Sequence, residues 1–245
     1  MLVDTTYRSK EDEILDDFDL QGPELETSLE DIARVNRWLG GNYVTLSGIR
    51  ELLKDQKKHR KFTIVDIGCG NGDMLREIAQ YAEKSGLHIE LIGIDANSNT
   101  IAQARVLSKK YNNIRYEAID IFSKEFESYH YDIGLCTLTL HHFDNEQIIK
   151  MLEIFAKQSK VGFIINDLHR SRVAYYLFKI VSTIFIKSKV AKHDGLISIL
   201  RGFKRIELSK WSKRLNLNSS IRWRWAFRYQ WIIRTQQGLQ YLKQD

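Results

Sequence analysis

Between residues 62 and 168 the chain alternates short apolar runs with amphipathic stretches, and nothing else in the sequence limits the fold as strongly. "FTIVDIG", "HIELIGIDAN", "IRYEAID", "YDIGLCTLTLHHF" and "KVGFIINDL" read as strands. "GDMLREIAQYAEKSG", "SNTIAQARVLSKKY" and "DNEQIIKMLEIFAKQS" read as helices, the last capped by Asp144. Apolar runs with little polar alternation suit strands buried on both faces. Helices between them make those strands parallel, which predicts an α/β, Rossmann-like sheet covered on both sides. The length of 245 residues allows one such domain with an elaboration, not two. Ligands of such a sheet bind beyond the carboxyl ends of its strands, where the strand order reverses.

The flanks divide a single domain of residues 1–245 into further units. Residues 1–27 read as a flexible acidic arm. Residues 28–59 read as N-terminal helices, one capped at Thr27 or Ser28 and ended by Gly40 and Gly41, the next closing in a basic run. The core is 60–168. Residues 169–205 interrupt the rhythm: "VAYYLFKIVSTIFIKSKVA" is apolar but too short and too charged to span a bilayer. It reads as a helical lid over the cleft, with "HDGLISILRGF" following as a loop. Residues 206–245 give a helix and an antiparallel edge hairpin in "SIRWRWAFRYQWIIRT".

Charge is uneven. Residues 1–31 hold eleven acids and two bases, while residues 157–245 hold nineteen Lys or Arg and four acids. Such a basic third suits nucleic acid, an anionic membrane or an acidic substrate, or is a solvated face partly covered by the acidic N-terminus. Cys69 and Cys136 lie in apolar runs and read as reduced, buried thiols. No metal-ligand spacing surrounds them, so no metal is expected. The first residues contain no apolar signal core, which predicts a cytoplasmic protein.

"IVDIGCGNGDM" places Gly68, Gly70 and Gly72 between a strand and a helix, where glycine lets a ligand approach the backbone. Asp95 ends the second strand, where a carboxylate can accept both hydroxyls of a ribose. Asp120 ends the third and can accept from an adenine amino group. With "CTLTLHHF", these four strand ends resemble the successive motifs of class I S-adenosylmethionine-dependent methyltransferases. The resemblance is tight over about residues 60–170 and implies a seven-stranded sheet and S-adenosylmethionine as cofactor. It implies that Asp66, Gly68, Cys69, Gly70 and Gly72 frame the methionine moiety. Asp95 and Ala96 would hold the ribose, Asp120 and Ile121 the adenine edge, and Thr137 and Leu138 the cofactor wall. NAD is a poor second. A looser likeness, carried by "ARVNRWLGGNYVTL", "NDLHRSRVAYYLF" and "HDGLISILRGF", points to small-molecule enzymes with phenolic or lipid-like hydroxyl acceptors.

A hydroxyl acceptor needs a base, and histidine suits that role. The candidates are His141 and His142 after the fourth strand, His169 after the fifth, and His193 in the lid. Adjacent residues at a strand end diverge, so at most one of His141 and His142 is expected to face the cofactor. Arg37 is placed to meet the cofactor carboxylate. O-methylation of a small molecule is the leading expectation, with RNA methylation and C-methylation of an aromatic or polyketide acceptor as alternatives. Nucleic acid is the weaker partner for lack of an N-P-P-Y-like strand end. Residues 173–191 offer a peripheral membrane contact, and the oligomeric state stays open.

Overall fold

A computed structural model describes residues 2–17, 19–54, 56, 60–235 and 238. The basic residues expected beyond the second helix, and the last residues of the 206–245 unit, lie largely outside them. Seven strands form one sheet: β1 (Phe62–Ile67), β2 (Ile89–Asp95), β3 (Ile114–Ala118), β4 (Tyr131–Thr137), β5 (Ser159–Leu168), β6 (Asn218–Arg224) and β7 (Arg228–Arg234). Their order is β3-β2-β1-β4-β5-β7-β6. The first five are parallel, while β7 runs antiparallel to β5 and β6 to β7. The order reverses between β1 and β4, so the crevice opens beyond Ile67 and Thr137.

Nine helices accompany the sheet among the described residues: α1 (Pro23–Trp38), α2 (Gly41–Leu53), α3 (Asp73–Ser85), α4 (Ser98–Leu107), α5 (Lys124–Glu127), α6 (Asn145–Gln158), α7 (Arg172–Phe185), α8 (Lys189–Arg201) and α9 (Arg205–Arg214). The period-2 pattern of β1 splits its apolar side chains between two cores. Ile64 meets Ile49 of α2, Leu75 and Ile78 of α3 and Ile101 of α4 on one face. Val65 and Ile67 meet Ile148, Leu152 and Phe155 of α6 and Leu208 of α9 on the other. Each such fully buried side chain stabilises the fold by about 1.5–3 kcal/mol. Asp144 caps α6 as expected, accepting from Glu146 and Gln147 N–H while Gln147 returns the bond.

Two local readings are corrected. The first helix begins at Pro23, not after Thr27, because a proline in the first turn lacks only an N–H that would be unpaired there. Thr27 and Ser28 sit inside it and donate back to the Pro23 and Glu24 carbonyls. "HDGLISILRGF" is mostly helix α8, not a loop, capped by Ser188. Gly195 is a packing glycine there: a Cβ on it would lie 2.3 Å from the Phe178 ring of α7.

The flexible arm is corrected too. The described part of residues 1–17 is strapped across the lid and the strand ends. Arg170, 1% exposed, donates to Thr5 O and Thr6 O, to Gly202 O, and bidentately to Glu207. Arg8 donates to the carbonyls of His141, Phe143 and Arg201. Asp194 accepts from Ile14 and Leu15 N–H, both at 2.9 Å. Two acids of the arm are held from across the chain, Glu13 by the Ser198 hydroxyl and Asp16 by Arg201, which sequence distance hid. Arg170→Met is expected to cost about 3 kcal/mol, since it strips one carboxylate and three carbonyls of their donor. Urea unfolding measures it, and a loss under about 1 kcal/mol would show that the strap is held elsewhere.

Candidate functional site

The turn after β1 needs its glycines for different reasons. Gly68, Gly70 and Gly72 have φ of 68°, 52° and 77°, a region that favours glycine. A Cβ on Gly68 would lie 2.3 Å from the Thr139 side chain, whereas nothing lies within 4 Å of one on Gly70. Gly70 therefore offers bare backbone to the crevice. Gly72 does not line it: it packs against the Tyr116 hydroxyl, 2.0 Å from where its Cβ would be. This corrects its assignment to the ligand.

Beyond the turn lies a cavity of about 1140 Å³. One ligand pocket usually spans about 300–1,000 Å³, so there is room for a cofactor and part of an acceptor. Asp66, Gly68, Cys69, Gly70, Asp95, Ala96, Asp120, Ile121, Thr137 and Leu138 all line it. Asp95 accepts from Gly70 N–H through Oδ2 (3.1 Å) and from Asn97 N–H through Oδ1 (3.0 Å). Burial pushes its carboxyl upward. Asp66 is 2% exposed, and its Oδ1 has no hydrogen-bond partner among the described residues. Burial, then the charges of Asp73 and Asp95, push it well above the usual carboxylate range. An orphaned acid at the strand end calls for a donor or cation from a ligand. Asp120 is exposed, two residues past β3, with Oδ1 accepting from Phe122 N–H. Leu138 adopts a positive φ of 54° while its N–H reaches Asn166 O.

The histidines separate. His141 and His142 both line the cavity, because a 3-10 turn at Leu140–His142 replaces the extended chain and sets their rings 4.3 Å apart, tilted by 31°. Both thus line the cavity, although His141 is buried at 2% exposure. His169 and His193 do not line it. His169 accepts from Trp223 Nε1 at the sheet edge, and His193, half exposed, turns to Asp194. Arg37 is exposed and outside the cavity, so its cofactor role is corrected as well. Its buried neighbour Asn36 lines the cavity instead.

Three acids complete the histidine corner. Asp167 Oδ1 lies 2.7 Å from His141 Nδ1, and Glu13 Oε1 lies 3.5 Å from its Nε2. Asp16 Oδ1 is 2.6 Å from His142 Nδ1, close but out of line for a good hydrogen bond. Arg8 and Arg201 donate to the His141 carbonyl from behind. Glu13, His141 and His142 offer ligand atoms within 4.8 Å of one another, a spacing that a divalent cation could use. Burial alone would push His141 down, but Asp167 and Glu13 outweigh it and raise the ring to about 9. Glu13, Asp16, Asn36 and Arg228 line the cavity unforeseen, beside Ser198 and Arg201 of the lid. For Glu13 and Asp16 no spacing in the sequence gave a signal.

A pH dependence follows. His141 has a folded value near 9 against an ordinary 6.5, so its proton stabilises the fold fully below about 6.5, and this is lost as pH rises through 9. Glu13 and Asp167, both held low by the histidines against their burial, lose their contribution on acidification instead. Native stability should fall by about 3 kcal/mol more than that of His141→Gln between pH 6.5 and 9.5. Urea midpoints at the two pH values test it. Parallel losses would show that no proton is held there.

Residues 64–162 match a family described as "Methyltransferase domain". Over 117 residues the chain is 30% identical to a phosphoethanolamine N-methyltransferase of Plasmodium falciparum, covering 46% of this chain and 42% of that one. Over 87 residues it is 30% identical to a carboxy-S-adenosyl-L-methionine synthase of Helicobacter pylori, covering 36% and 34%. The chain thus spans less than half the length of these curated relatives. A plantazolicin methyltransferase in complex with SAH superposes with a TM-score of 0.59 at 18% identity, covering 87% of this chain and 96% of that one. Magnesium protoporphyrin IX methyltransferase from Synechocystis, with bound SAM, gives 0.55 at 14%, covering 83% of each. The fold is that of S-adenosylmethionine-dependent methyltransferases. The residues present fit that cofactor: a bare glycine edge, an acceptor carboxylate at Asp95 and an unpartnered acid at Asp66 lie along one wall.

Proposed function

We propose that this chain, a class I S-adenosylmethionine-dependent methyltransferase by its fold and by its domain over residues 64–162, methylates a hydroxyl of a small, largely apolar acceptor. One observation carries the reading. The cavity lined by the cofactor strand ends is lined also by Leu177, Phe178, Val181, Trp225 and Phe227, and by His142. An apolar, aromatic wall suits a phenolic or lipid-like body and excludes water from the reacting centre.

S-adenosylmethionine, when bound, supplies an electrophilic methyl group. The chain's own part is positioning and proton transfer. Gly68, Gly70 and Asp95 fix the donor, and Thr137 and Leu138 form the wall between donor and acceptor. His142, which lines the cavity beside Asp16, is the group that takes the acceptor's hydroxyl proton. His141, charged and enclosed by Glu13 and Asp167, holds the corner together instead. C-methylation of an activated ring would use the same base.

Methyl-labelled cofactor incubated with cell extract should label a small, solvent-extractable product that resists base. Label confined to RNA or protein would overturn the proposal. The basic third favours RNA less than its composition suggests, since Arg170, Arg201 and Arg228 are buried. A finer reading concerns α7. Val173, Ile180 and Ile184 on its outer side are exposed, with Lys179, Lys187 and Lys189 nearby, while Ala174 and Phe178 line the cavity. Among the described residues no helix is long and apolar enough to cross a membrane. Such a helix can lie on an anionic surface and admit an acceptor from it. Flotation with phosphatidylserine vesicles checks it, and Ile180→Glu should abolish the effect.

A further inference from the structure

Arg228 begins β7, where it pairs with Leu168 and Arg224, and its side chain enters the cavity from the strand edge. It is 3% exposed. Its Nε and Nη1 have no hydrogen-bond partner among the described residues. No salt bridge reaches it there either. The carboxylate whose charge it feels is Asp167, and that group is already committed: Oδ1 takes His141 Nδ1 and Leu168 N–H, and Oδ2 takes His141 N–H. The guanidinium stands instead over Gly41, where a Cβ would lie 2.9 Å from its Cζ. Beside it the Asn36 Oδ1 also lacks a donor. A neutral amide cannot balance a buried charge. Burial pushes the Arg228 guanidinium down to about 10, so it stays charged near neutral pH.

An uncompensated buried cation is costly, and Arg170 shows the alternative, with every face of its guanidinium met. The position decides which ligand Arg228 awaits. The groups fitted to the cofactor stand at the ends of β1, β2 and β3 and at Thr137 of β4. Arg228 is three strands from β1, about 14 Å across the sheet. It lines the cavity together with Trp225 and Phe227 of the apolar wall, which precede it in the same hairpin.

We propose that Arg228 anchors an anionic group, a carboxylate or its equivalent, on the methyl acceptor. This rests on the methyl-transfer reading and narrows the acceptor to an amphiphile: an apolar body, a hydroxyl near His142 and an acid at Arg228. Glycine at 41 leaves the space that the guanidinium occupies.

Calorimetry with 2-naphthoate and 2-naphthamide, on the full chain saturated with S-adenosylhomocysteine, tests it. Naphthoate should bind about 10- to 100-fold more tightly than the amide. Arg228→Met should erase that preference, leave S-adenosylhomocysteine affinity within about twofold, and leave the thermal midpoint unchanged or raised, because an unpaired buried charge is removed. Equal binding of the two probes, no naphthoate binding, or a midpoint that drops would overturn the proposal. So would a selective loss of S-adenosylhomocysteine affinity in the variant, which would assign Arg228 to the cofactor. Failure of the native chain to bind S-adenosylhomocysteine would instead sink the methyl-transfer reading.

Discussion

Asp95→Ala should weaken S-adenosylhomocysteine binding by about 100-fold or more while the chain stays folded. The carboxylate stands at the end of β2, fixed by Gly70 and Asn97 N–H groups from its two sides. Each oxygen keeps a further lone pair toward the cavity, and a ribose diol can fill both. Hydrogen bonds to a charged group are each worth about 1.5–3 kcal/mol, so losing two accounts for the expected factor. The same substitution removes the clamp on Gly70, so the bare backbone edge loosens as well. Asp95→Asn keeps one acceptor oxygen and should fall between the two. Calorimetric titration with S-adenosylhomocysteine measures all three. A loss below about fivefold in Asp95→Ala would remove Asp95 from the cofactor.

His142→Gln should lower kcat by about 100- to 10,000-fold and leave cofactor affinity unchanged. The ring lines the cavity at the mouth of β4, Asp16 sits 2.6 Å from Nδ1, and the cofactor wall at Thr137 and Leu138 is five and four residues away in sequence. Glutamine preserves size and hydrogen bonding but cannot take a proton. The residual rate should rise with pH as the acceptor hydroxyl ionises by itself, whereas the native enzyme levels off. An equal loss of rate at every pH would mean that His142 shapes the pocket without moving a proton. His141→Gln is the contrasting case: its ring is walled in by Glu13 and Asp167, so its main effect should be on stability.

The sheet was legible because the central strands between 62 and 168 are apolar on both faces, β3 at the edge being the exception, and most crossovers are amphipathic helices of ordinary length. The donor side of the cavity followed, since strand ends are fixed by the same pattern. Nearly all the acceptor side comes from elsewhere in the chain. Glu13 reaches His141 across 128 residues, and Asp16 meets Arg201 across 185. No local periodicity encodes such contacts. Arg37 was chosen for its charge, yet helical phase turns it to solvent and turns Asn36 inward. His169 and His193 fell away for the same reason: a strand edge and a helix face decide where a ring points, and residue type alone does not. Gly195 misled by looking like a loop residue when it serves close packing of α7 on α8.

Titration of the purified chain with S-adenosylmethionine, S-adenosylhomocysteine and NAD, followed by the same titrations on Asp95→Ala, tests the assignment of the cavity most directly. Both adenosyl-sulfur ligands should bind with one site per chain, NAD should bind far more weakly, and Asp95→Ala should lose the first two together. Binding of NAD as tight as that of S-adenosylhomocysteine, or adenosyl-sulfur binding untouched by Asp95→Ala, would contradict it.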